Sequence, residues 1–122
     1  MNTDHPFNLE ELLARCVGRM DFAERVLDKF LVHFAEDIDR LEQHLAHGDW
    51  EELARVAHCM KGASANIAAA GLRDQVAGIE ASARDHQAEG LPSQMRRLRE
   101  EWSQFSNSVT HLRLSSKHCS AN

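Results

Sequence analysis

Tyrosine is absent from the 122 residues, and only two prolines, six glycines and three cysteines occur. β-Branched residues are also few, so little in the composition favours sheet, whereas the abundant Ala, Leu, Glu, Gln and Arg favour helix. Cys16, Cys59 and Cys119 are odd in number and share no C-x-x-C spacing. That speaks against a disulfide framework or a zinc knuckle and suits a reducing compartment. A net charge of −5 lacks the basic excess of an electrostatic nucleic-acid binder, and the short basic run at 96–99 reads as a solvated helix face. No stretch approaches the roughly 20 apolar residues that span a bilayer. The opening MNTDHPFNLEELL has neither the basic start nor the apolar run of a signal peptide. The expectation is a cytoplasmic protein with no nucleic-acid or membrane partner.

What is present is a globular composition, 43% hydrophobic and 27% charged, long enough for one domain with a real core. In PFNLEEL, Asn8 can cap a helix, with Glu11 at its third position and Phe7 and Leu12 spaced as a staple. Residues 1–19 are therefore expected to form a short N-terminal capping helix and turn. From Ala23, a stripe of Val26, Leu27, Phe30, Leu31, Phe34, Ile38, Leu41 and Leu45 recurs at three- and four-residue steps. Gly48 ends that helix, and Asp49 caps the next with Glu52 three residues on. The third segment is expected to run to about Ala69 or Ala70, with Gly71 as punctuation. A fourth carries Leu72, Val76, Ile79 and Ala83, and a fifth starts near Pro92 with Leu91, Met95, Leu98, Trp102, Phe105, Val109 and Leu112. The fold class is all-α. The expected architecture is an antiparallel up-down-up-down four-helix bundle over 20–114, followed by a flexible tail at 115–122.

The helix that contains LARVAHCMKGASANIAAAGL holds a glycine in its interior, which costs roughly 1 kcal/mol against alanine. At about 100° per residue, Leu53, Val56, Ala57, Met60, Ser64 and Ile67 share the core direction. His58 lies about 140° from that direction, Gly62 about 180°, Ala65 about 120° and Ala69 about 160°. His58 should therefore project outward, with Gly62 leaving bare surface beside it. An exposed imidazole is a candidate nucleophile, and the Lys61 ammonium, about 60° away, would neutralise an incoming phosphoryl group. Ser64 faces the core and can bond the carbonyl one turn back.

These residues resemble a known family. His58, Lys61, Gly62, Ser64, Asn66 and Ile67 in AHCMKGASANIAAAGL are similar to the motif of histidine-containing phosphotransfer domains, His-x-x-Lys-Gly followed by small and apolar residues. The preceding LEQHLAHGDWEELARVAH resembles the family's helix, Gly-Asp turn and lead-in. The likeness covers about residues 20–112, with Ala68 standing where the family usually has glycine. It implies a phosphorelay carrier rather than an enzyme. His58 would take a phosphoryl group from a receiver aspartyl phosphate and pass it to another receiver, while Lys61 holds its oxygens. Implied partners are receiver domains of response regulators and hybrid histidine kinases. No cofactor is implied for this chain, since Mg²⁺ and acidic residues belong to the receiver. The expected docking face comprises Gly62, Ala65 and Ala69 with Arg55 and Glu51 at its border, and Phe22 and Val32 on the long helix.

Two other readings compete. A bundle could dock receivers without relaying phosphate. Alternatively the eight histidines, His44 and His47 above all, could bind a metal, although the Glu-x-x-His pairs of di-iron bundles are not present as a set. A monomer is expected, because a four-helix core is complete in one chain.

Overall fold

The computed structural model describes residues 20–120, and their side chains from 21 to 112. The capping helix expected at 1–19 lies outside the described residues. Four helices follow in order: α1 (Met20–His47), α2 (Trp50–Asn66), α3 (Ala70–Arg84) and α4 (Leu91–Ser120), with a 3₁₀ turn at Ala88–Gly90 leading into α4. No strand occurs among the described residues.

The apolar stripes face one another. Phe34, Ile38 and Leu41 of α1, Leu53, Ala57 and Met60 of α2, Leu72, Val76 and Ile79 of α3, and Leu91, Leu98 and Phe105 of α4 are all buried. Burying each large aliphatic side chain stabilises the fold by about 1.5–3 kcal/mol. The central pair is α2 and α3, with α1 packed on α2 and α4 on α3. The thinner seam between α1 and α4 is filled by rings: Phe34 stacks on Trp102 at 4.9 Å, and Phe105 meets Phe30 edge-on at 5.5 Å. Arg99 of α4 closes the outside of that seam, bonding Glu42 at 2.6 and 2.7 Å and Asp39 at 3.1 Å on α1.

Three helix ends share one hydrogen-bond pattern. After α1, Gly48 N–H bonds the Leu45 carbonyl and Asp49 N–H bonds the His44 carbonyl. After α2, Ala68 bonds Ala65 and Ala69 bonds Ser64, and after α3, His86 bonds Ala83 and Gln87 bonds Ser82. Each is a Schellman motif, which needs a left-handed residue just past the helix. Gly48 (φ 70°) suits that position, whereas Ala68 (φ 60°) and His86 (φ 56°) adopt it with a side chain. Asp49 then caps α2 by accepting from the Glu52 N–H at 3.3 Å.

This corrects the expected boundary. α2 stops at Asn66 rather than near Ala69, because the chain reverses at Ala68. Gly71 accordingly lies in the first turn of α3. α4 continues to Ser120 and takes in residues 115–120, which the sequence assigned to a tail.

Candidate functional site

The wheel angle of His58 is set by Val56, Ala57 and Met60, which anchor α2 in the core. Its side chain is 60% exposed at mid-helix. Nothing stands within 4 Å of the place a Gly62 Cβ would occupy, one turn on, so the surface there is open. Ser64 is fully buried and donates to the Met60 carbonyl at 2.9 Å, a packing role.

A carboxylate absent from the sequence-based candidates organises the site. Glu80 of α3 is only 8% exposed, packed beside Ile79. Its Oε2 lies 3.0 Å from His58 Nδ1 and accepts from Arg84 Nε at 3.0 Å, while Oε1 forms an ion pair with Lys61 Nζ at 3.0 Å. The Lys61 contact is charge against charge rather than a well-aligned hydrogen bond, since Oε1 has no partner of hydrogen-bond geometry. Burial pushes the Glu80 carboxyl up, but Lys61, Arg84 and His58 together outweigh it and hold the group below the usual carboxylate range. An ionised carboxylate only accepts, so the proton of a neutral His58 sits on Nδ1 and Nε2 carries the lone pair. Glu80 thus fixes the ring's tautomer and orientation from behind.

The signal for Glu80 was in the sequence. It follows Ile79 directly and Val76 by one turn, an inward position on α3 occupied by an acid, and it is one helical turn before Arg84. A charge there must be paired to be buried.

The other expected residues divide. Arg55 and Glu51 are exposed on α2, and Arg55 forks onto Glu52. Ala65 is half-buried, two turns beyond His58. Ala69 is not on this face: it is fully buried, because the reversal at Ala68 carries it into the core. Phe22 (46% exposed) falls in the row with Val26, Lys29 and His33, which line a groove of about 210 Å³ against Ala63, Asn66 and Ile67 of α2. Val32 (57% exposed) lies about 100° round from that row and faces outward.

His44 and His47 occupy the last turn of α1, where His47 Nδ1 contacts the Gln43 carbonyl at 2.8 Å. No cluster of three metal-ligating side chains occurs among the described residues, and no helix among them is long and apolar enough to cross a membrane.

The family model of the Hpt domain matches residues 25–108, a span that contains His58, Lys61, Glu80 and Arg84. No curated protein and no solved structure matches the chain.

Proposed function

Because the chain belongs to the Hpt domain family, whose members are phosphocarrier modules that serve phosphorelays and meet receiver domains, we propose that His58 is the phosphoacceptor. In this reading it shuttles a phosphoryl group between receiver aspartates. The observation that carries the reading is an imidazole whose side chain is 60% exposed and which is tethered through Nδ1 to a buried carboxylate.

Transfer begins with the Nε2 lone pair in line with phosphorus. The Nε2–P bond forms as the acyl O–P bond of the aspartyl phosphate breaks, and the aspartate leaves as a carboxylate. Spending the lone pair leaves positive charge on the ring while Nδ1 keeps its proton. Glu80, 3.0 Å away, stabilises that charge without taking part in bond formation. Lys61 (38% exposed) is free to turn from Glu80 Oε1 toward the phosphoryl oxygens, since Arg84 stays on Glu80. Glu80, Lys61 and Arg84 sum to one positive charge, which receives an anionic group. Return transfer runs the same steps backwards. The receiver supplies the magnesium and acidic residues, and the carrier works in the cytoplasm.

Short connections support helices that run up and down in turn. Gly48 and Asp49 join α1 to α2, and Ile67, Ala68 and Ala69 join α2 to α3.

The test is incubation with phosphorylated receiver domains of the source organism. Wild-type chain should acquire acid-labile label and His58→Ala none. Label that survives His58→Ala overturns the assignment.

A further inference from the structure

Beside the phosphoacceptor, where α2 begins and α3 ends, a notch of about 430 Å³ opens to solvent. Trp50, Ala54 and Ala83 form its apolar floor, and Glu51, Arg84 and His86 its rim. Trp50 is the first residue of α2, packed against the core yet only half-buried. Arg84 belongs to both places: it lines the notch and holds Glu80, which holds His58. His86 is set on the rim by the left-handed turn that ends α3.

A standard protein interface takes about 800 Å² per partner, a disc of roughly 16 Å radius. Trp50 is eight residues from His58, about 12 Å along α2. A receiver footprint centred on His58 therefore reaches the notch. Tryptophan and arginine are the residue types that most often carry interface energy.

We propose that this notch is a specificity pocket, which takes one bulky apolar side chain from the docking face of the receiver. The inference rests on the phosphoacceptor reading above and adds a partner contact to it. Charge complementarity selects a receiver as the source of that side chain. Arg84 on the rim and the neighbouring Lys61 exceed Glu80 by one positive charge, which faces a partner whose phosphate site is acidic. Trp50, Ala54 and Ala83 offer apolar floor but no charged group of their own.

Phosphoramidate separates docking from chemistry, because this small donor phosphorylates an imidazole with loss of ammonia and requires no protein surface. Trp50→Ala should take label from phosphoramidate within twofold of wild type. From a phosphorylated receiver its kcat/KM should fall at least tenfold through KM, and Trp50→Phe should restore most of the loss. As an independent readout, Trp102→Phe leaves Trp50 as the single indole. Its emission should shift to the blue as the same receiver, added without phosphate, saturates the chain.

Unchanged receiver transfer in Trp50→Ala, or equal slowing with both donors, overturns the pocket. So does unshifted Trp50 emission at saturation, or a wild-type dimer in sedimentation that Trp50→Ala abolishes. Failure of the wild-type chain to take label from either donor overturns the phosphoacceptor reading instead.

Discussion

Glu80 serves an imidazole and two cations at once, and each contact has a separate consequence. With Nδ1 it fixes the ring, with Lys61 it holds an ammonium on the other carboxylate oxygen, and with Arg84 it keeps a second cation on Oε2. Glu80→Gln retains an acceptor for the Nδ1 proton but not the charge, and should slow labelling of His58 about tenfold. Glu80→Ala should slow it about a hundredfold, the span of a charged hydrogen bond of roughly 1.5–3 kcal/mol. Phosphoramidate labelling rates measure both. Equal rates in all three chains would leave Glu80 with no part in the chemistry. The outward placement of His58, Lys61 and Gly62 was legible in the sequence because a wheel needs only spacing, and their helix is regular throughout. Glu80 was passed over although its inward position could be read, because a hydrophobic stripe is read by its apolar members, and an acid inside one looks like a gap until its partners from α2 are in place.

At the scale of the element, helix interiors were legible and the ends of α2 and α4 were not. Gly48 and Asp49 announce the end of α1 and the start of α2 with residues suited to those positions. The run Ala68-Ala69-Ala70 announces the opposite of what it does, since alanine is the best helix former yet Ala68 breaks the helix in a left-handed conformation. Tertiary packing wins there: Ile67 and Ala69 are both buried by the reversal, and that burial offsets the strain. A left-handed non-glycine residue costs about 1–2 kcal/mol, and glycine returns part of this through its freer unfolded chain. Ala68→Gly should therefore stabilise the protein by about 0.5–1 kcal/mol and raise its thermal midpoint by roughly 3 °C. Calorimetry at neutral pH measures the shift. A lower midpoint would show that the alanine methyl contributes more than the strain removes.

Across the whole molecule, two ion clusters stitch opposite seams. Glu80 joins α3 to α2, and Arg99 joins α4 to α1 through Glu42 and Asp39. Hydrogen bonds from Arg99 hold the Glu42 carboxyl below its usual range against a smaller opposing effect of burial, just as the cations around Glu80 hold that group low. A carboxylate with a lowered folded pKa adds stability above its unfolded value, about 4.3 for glutamate, and loses it as pH falls through the folded one. Thermal midpoints should thus be level from neutral pH to about 5 and drop below about 4. Glu80→Gln, which has no carboxyl to protonate at that seam, should drop less steeply. An equal slope in both chains would assign acid sensitivity elsewhere.

Every turn that joins the first three helices, and the one that closes α3, is bolted by paired backbone bonds rather than left slack. A visiting protein therefore meets a ready-made platform and spends no free energy on ordering loops, a cost that association otherwise has to overcome. On the phosphoacceptor reading, exchange through such a stem should be paced by how often two molecules collide in register, and should respond to viscosity and added salt.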